Sequence, residues 1–245
     1  MFQTTRGLIL RETRYKEADK ILTILTEDEG KITAKARGAL RQNSKLAAGT
    51  QLLTFSELTL FGHRGMWTIN EATAVEQFLG LRRDIERLAL GSYIAELLEA
   101  VSDEDSPEPA ILQLGLNALY ALSAERFDSS LVKAAFELRL MCLSGYAPDL
   151  SACSACGTEE LDRAWFSPET GELLCGSCRR PDSVELSPAM LDAMRYIIGC
   201  DRKRLCAFTL DDQSARQLGQ LCERYALTQL ERPFASLTYY KNIKR

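Results

Sequence analysis

The sequence predicts an α+β chain of more than one domain: an N-terminal five-stranded barrel, an α-helical C-terminal domain, and a small four-cysteine module inserted in the helical part. Three observations predict it. Apolar residues recur with a strand-like period up to about Phe78 and with a helical period after it. Two Cys-x-x-Cys pairs stand eighteen residues apart inside the helical region. A chain of 245 residues, 46% hydrophobic and 26% charged, suits a globular protein able to bury more than one core.

The five strands are expected at Phe2 to Arg11, Lys20 to Thr26, Lys31 to Arg37, Gln51 to Phe61 and Met66 to Val75, all rich in Leu, Ile, Thr and aromatics with partial alternation. Glu27-Asp28-Glu29-Gly30 reads as a turn, and Gly62-His63-Arg64-Gly65 as a hairpin connection. The longer link Gly38 to Thr50 has room for a helical turn around Leu46-Ala47-Ala48. Five strands with a long link after the third match the layout of an OB-fold, and an SH3-like barrel gives much the same spacing.

Helical stripes follow at Leu90, Ile94, Leu97, Leu98 and Val101, over Ile111 to Leu122, at Leu131, Ala135, Leu138 and Cys142, at Met190, Leu191, Met194, Ile197 and Ile198, and at Ala215, Leu218, Leu221, Cys222 and Tyr225. Ser187 before Pro188 reads as a helix cap, and Asp212 as the cap of the last long helix. Asp103 to Glu108 is acidic and holds a proline, the mark of a loop between helices. The domain boundaries that result are 1–80 for the barrel, 81–149 with 182–245 for the helical domain, and 150–181 for the inserted module.

Composition removes several function classes. No apolar run approaches the ~18 to 20 residues that span a bilayer, and the stretch beginning Met1-Phe2-Gln3 has no apolar signal core, so a cytosolic protein is expected. His63 is the single histidine, which rules out any mechanism or metal site that needs two. No GxxxxGK[ST], HExxH or GxSxG pattern is present, and no pair of carboxylates stands out as a catalytic couple.

Cys153, Cys156, Cys175 and Cys178 form the most specific motif in the chain. Two such knuckles at this separation match a tetrahedral zinc site of four thiolates, in which each short turn aims two sulfurs at one ion. Such a site has no open coordination position, so the Zn2+ is structural. It substitutes for a core in a segment too short to hold itself by burial. Gly157 and Gly176 suit a backbone turning tightly beside the ion. Cys142, Cys200, Cys206 and Cys222 fall in or beside helical stripes and read as small buried hydrophobes.

The net charge of −4 is unevenly divided: residues 1–80 hold 11 basic against 9 acidic side chains. Lys31, Lys35, Arg37, Arg41 and Lys45 fall within fifteen residues that contain no Asp or Glu. This run is either a solvated loop or a track for a phosphodiester backbone. Tyr15, Phe55, Phe61 and Trp67 are the rings available for base stacking, although a small barrel uses most of its aromatics as core.

Gly145-Tyr146-Ala147-Pro148 leading into Cys153 and Cys156 resembles the RecO family of bacterial recombination mediators. So do Gly7-Leu8-Ile9-Leu10, Asp19-Lys20-Ile21-Leu22, Gly30-Lys31 and Ala36-Arg37-Gly38-Ala39. The resemblance covers nearly the whole chain. It implies an OB-fold barrel, a helical domain with a zinc module, and a non-enzymatic protein of homologous-recombination repair in the bacterial cytoplasm, associated with the nucleoid during repair. Such a protein binds single- and double-stranded DNA, anneals strands, associates with RecR and receives the C-terminal tail of the single-stranded-DNA-binding protein. The match places Lys31, Lys35, Arg37 and Arg41 as phosphate contacts, with Lys45 a weaker match. Arg139 lies in the helix matching the one that forms the tail pocket, with no ground for naming it a contact. The alternative of a different class is a zinc-stabilised nucleic-acid hydrolase.

Overall fold

The computed structural model describes residues 2–63, 66–201 and 204–243, with the backbone alone at His63. These divide into two compact units, Met1–Ala124 with Phe234–Arg245, and Glu125–Pro233.

The first unit is built on a closed barrel of β1 (Phe2–Tyr15), β2 (Asp19–Thr26), β3 (Lys31–Ala36), β4 (Phe55–His63) and β5 (Met66–Glu76). The strand order β1-β2-β3-β5-β4, closed by β4 on β1, is the Greek-key arrangement of the OB type. The contact of β3 with β5 is parallel, Ala34 opposite Trp67 and Lys35 opposite Thr68. The long β1 serves two neighbours. Phe2 to Leu8 pair with β4, while Gly7 to Tyr15 pair with β2 across a bulge between Ile9 and Arg11. Alternation sends Ile9, Leu22, Ile24, Ile32, Ala34, Ala36, Leu58, Leu60 and Ile69 inward to a single core.

The link after β3 is a string of turns rather than a helix: Arg41, Ser44 and Ala47 each donate a backbone hydrogen bond three residues back. Of the connection expected at Gly62-His63-Arg64-Gly65, Arg64 and Gly65 lie outside the described residues, and β4 and β5 pair up to His63 opposite Met66.

A 3-10 turn (Leu79–Arg83) leads into α1 (Ile85–Val101), whose first turn is capped by Asp84 accepting from the N–H groups of Glu86 and Arg87. α2 (Pro109–Ser123) begins on a proline, where the missing N–H costs nothing. The final helix, α6 (Ala235–Ile243), is not anticipated by the sequence stripes and packs on α1. Glu96 accepts from the backbone N–H groups of Ala235 and Ser236 at its start, and the Phe234 ring meets Tyr93 edge-on at 5.8 Å.

The second unit holds α3 (Ser129–Leu143), α4 (Pro188–Gly199) and α5 (Asp212–Leu230), together with a three-stranded sheet ordered β7 (Glu172–Cys175), β6 (Ala164–Ser167), β8 (Val184–Leu186). Ser187 caps α4 as its sequence position suggests. The cap of α5 is Asp211, one residue before the expected Asp212, because its carboxylate reaches the N–H groups of Gln213 and Ser214 while Asp212 already lies in the helix. α3 and α5 pack around a buried ion cluster in which Lys133 Nζ lies 2.8 Å from Glu137 and 2.9 Å from Glu223. Burial alone would lower the Lys133 pKa, but the two carboxylates outweigh it and raise it. None of the described helices is long and apolar enough to cross a membrane.

Candidate metal centre and nucleic-acid interface

The four sulfurs of Cys153, Cys156, Cys175 and Cys178 all lie within 4.8 Å of one another. A tetrahedron with ~2.3 Å metal–sulfur bonds has edges of about 3.8 Å, and the Cys156 and Cys175 sulfurs stand 3.8 Å apart. That spacing is far beyond a disulfide bond, and all four thiols are free. The residues therefore fit a tetrahedral metal ion.

Each knuckle is positioned by its backbone. Arg195 of α4 donates two hydrogen bonds to the Leu150 carbonyl, at 3.0 and 2.7 Å, and fixes the chain as it enters the first knuckle. Ser154 N–H bonds Leu173 O at 2.8 Å and ties that knuckle to β7, whose last residue is Cys175. Gly157 N–H closes the turn on Cys153 O, at a φ of +76° that a side chain resists. Gly176 has an ordinary φ and nothing within 4 Å of an added Cβ, so glycine is needed at the first knuckle and not at the second.

The electrostatics also call for a cation. Burial raises the Cys153 thiol, but N–H groups of Cys175, Cys156 and Ala155 outweigh it and bring the pKa down to about 6. Cys178, facing Cys175 and then Cys156, is pushed up to about 12. Four clustered sulfurs cannot all ionise unless a positive ion joins them. The remaining cysteines offer no second cluster among the described residues. Burial raises Cys142 and Cys206 to about 11, and Cys222 is fully enclosed.

The five cations of the Lys31 to Lys45 segment are separated by the strand that carries them. Lys31 opens β3 beside α1, where its Nζ donates to the Glu99 carbonyl at 2.9 Å and its backbone N–H donates to Asp103 O at 3.0 Å. The acidic loop packs there so closely that a Cβ on Gly30 would lie 2.5 Å from the Ser106 carbonyl oxygen. Lys31 is thus engaged by a helix end and an acidic segment.

Four residues further, roughly 13 Å along an extended strand, Lys35 points outward at the other end of β3. Its Nζ lies 3.0 Å from Asp19 Oδ2 and 4.8 Å from the centre of the Tyr15 ring. Asp19 also accepts from Gly38 N–H at 2.8 Å, and that bond, followed by Lys35, holds its carboxyl below the usual range. Arg37, Arg41 and Lys45 are exposed on the turns beyond, and among the described residues no ion pair engages them.

Pairing brings a second group to the same end of the barrel. Tyr15 lies opposite Asp19, and Arg14 opposite Lys20, which in turn faces Ala36. Leu40 N–H bonds Ala18 O at 2.9 Å, joining the β1–β2 turn to the turns after β3. Arg14 and Lys16, both exposed, therefore join Arg37 and Arg41. Glu12 and Glu17 dilute their charge in the sequence; the available signal is the Arg14-Tyr15-Lys16 triplet at a turn.

The four rings also separate. Phe55 is buried, and Trp67 turns in toward the core across the space left by Gly62. Phe61 packs against Phe2 with centres 5.0 Å apart, and Tyr15 is 43% exposed. Arg139 is occupied within its own unit, donating to the carbonyls of Ile197, Ile198 and Cys200 at the end of α4.

Comparison with known proteins agrees with this architecture. The N-terminal model of Recombination protein O matches residues 1–78, and the C-terminal model matches residues 82–238. A protein named DNA repair protein RecO from Acetivibrio thermocellus is 35% identical over 243 residues, covering 98% of this chain and 97% of the relative. Relatives of the same name from Alkaliphilus metalliredigens and Symbiobacterium thermophilum are 32% and 31% identical over 99% and 97% of this chain, and 100% and 96% of theirs. With an OB-type barrel in the first unit, a four-cysteine cluster in the second and similarity running through both, the chain belongs to the RecO family of DNA repair and recombination proteins, mediators that are not enzymes.

Proposed function

We propose that the chain binds single- and double-stranded DNA through the end of the barrel that carries Arg37, Arg41 and Lys45, with Arg14 and Lys16 beside them, and that it anneals strands and assists recombinase loading. The observation that supports this reading is the exposure of these cations on linked turns, with no ion pair among the described residues holding the segment's own three. A phosphate displaces counterions from such side chains, and its contact carries no sequence information. Binding by the backbone leaves base edges free to pair, as annealing requires. Lys35 contributes less to phosphate affinity because Asp19 already matches its charge, and Lys31 is left out because α1 and the acidic loop engage it. The partners in this reading are RecR and the tail of the single-stranded-DNA-binding protein, met in the bacterial cytoplasm where the free cysteines stay reduced. The ion in the four-cysteine cluster is Zn2+, held by Cys153, Cys156, Cys175 and Cys178 as a purely structural centre.

The test is a salt-titrated binding curve for the double variant Arg37→Glu and Arg41→Glu. Each lost phosphate contact should flatten the slope of log K against log salt by about 0.7 on single strands and 0.9 on duplex. Affinity should fall at least tenfold at low salt on both DNA forms, with metal content and helicity unchanged. Unaltered affinity would remove this end of the barrel from the interface.

A further inference from the structure

An outward-facing row of side chains crosses the barrel from the turn between β1 and β2 to the strands that lead into the β4–β5 connection. Strand register defines it: Phe2 pairs with Phe61, Phe61 with Thr68, and Thr68 with Lys35. Their sequence neighbours Leu60, Ile69, Ala34 and Ala36 are buried, so alternation turns the row itself to the outer surface. Tyr15 stands at one end, its ring under the Lys35 ammonium, and the Phe2–Phe61 pair stands at the other, with Phe2 65% exposed. Strands lie ~4.8 Å apart, so the two aromatic ends are separated by roughly 15 Å, within the ~4 to 16 nucleotides that one OB-fold covers. α1 packs on β1 and β2 and meets β3 at Lys31, the far end from this row.

Resting on the DNA-binding reading above, we infer that this row is a stacking track for unpaired bases, with Tyr15 as its principal platform and the Phe2–Phe61 pair as its second. Its occupant is a single-stranded polynucleotide. The charge beside it selects that occupant over an apolar protein segment. Exposed Lys16 holds its Nζ 5.5 Å from the centre of the Tyr15 ring, and exposed Arg37 follows two residues after Lys35, which suits a ligand carrying flat rings on an anionic backbone. Within the row the only cation is Lys35, and Asp19 matches its charge. Affinity along the row therefore comes from rings, and affinity at the barrel end comes from charge. A duplex keeps its bases stacked on one another and cannot use the rings. The row thereby gives a backbone-binding surface a preference for single strands.

The two contributions are separable. Three probes of equal length are needed: an oligo-dT, the same backbone without bases, and a duplex. Tyr15→Ala should weaken binding to oligo-dT about tenfold and leave the abasic strand, the duplex and the salt slope unchanged. Tyr15→Trp should restore or exceed the native affinity. Phe2→Ala should give a smaller loss of the same pattern. Equal losses on oligo-dT and the abasic strand, or no loss on either, would overturn the stacking track; the latter result would leave the exposed rings to a protein partner. If instead Arg37→Glu with Arg41→Glu leaves every affinity intact, the cationic end of the barrel leaves the interface, and the stacking track is then decided by Tyr15→Ala alone.

Discussion

The barrel buries Ile9, Leu22, Ile24, Ile32, Leu58, Leu60 and Ile69 in one closed core, whereas the cysteine module spreads strands of three or four residues over little more than Phe166, Leu173 and Leu174. In the barrel every strand has two hydrogen-bonded neighbours, and removing one side chain leaves the rest of the core in place. In the module β7 and β8 are both edge strands, and the two knuckles converge at their four sulfurs. Stability from burial is distributed, while stability from a metal is concentrated in one ion. The two regions should fail in different ways.

The largest expected effect follows from that contrast. Structural zinc contributes on the order of 10 to 16 kcal/mol in small metal modules, more than the residual burial in this one can replace. Chelation, or Cys153→Ser, should unfold the module, seen as a shift in the emission of Trp165 on β6 and loss of amide protection along β6 to β8. Amides of β1 to β5 should keep their protection. Loss of protection in the barrel on chelation would break the comparison.

The converse experiment acts on the barrel. Leu60 is fully buried, and Leu60→Ala should cost about 2 to 5 kcal/mol through lost burial and the cavity left behind. Urea unfolding followed by amide exchange reads this in β1 to β5 separately from the second unit. Metal content should stay at that of the native chain. Ion release by Leu60→Ala would show that the two regions share a single cooperative unit.

The same contrast governs what could be read from the sequence. Inward positions of the barrel strands and the clustering of the four cysteines are legible because each follows a rule of spacing: alternation in one case, paired knuckles in the other. What escaped has no such pattern. β1 runs on from Arg11 to Tyr15, yet Arg11 to Tyr15 are all exposed and follow no apolar alternation. They form a strand because β2 supplies hydrogen-bond partners. That unread extension carries Arg14 and Tyr15 to the end of β3 and so completes the candidate DNA site. The charge run from Lys31 to Lys45 was visible, but its division was not: Lys31 and Lys35 both face outward on one strand, and only the packing of α1 and the acidic loop at one end separates them. Likewise β6 to β8 are too short for a period to show, and α6 depends on Glu96 and Tyr93, more than 130 residues earlier in the chain.

The smallest expected effect tests how tightly the ion dictates the backbone around it. Each knuckle has a Cys-Gly step, Cys156-Gly157 just after the first knuckle and Cys175-Gly176 inside the second. Gly157 adopts a φ of +76°, so an added Cβ there costs roughly 1 to 2 kcal/mol of backbone strain even though the space around it is open. Gly176 has no such φ and equally open space, so Gly176→Ala should be neutral within about 0.5 kcal/mol. In a competition titration against a chromogenic chelator, Gly157→Ala should therefore release zinc at a lower chelator concentration than the native chain, and Gly176→Ala should follow the native curve. Equal behaviour of the two variants would mean that the ion pulls either knuckle into shape regardless of its glycine, and that the concentration of stability in the metal is greater than the backbone geometry of the first knuckle implies.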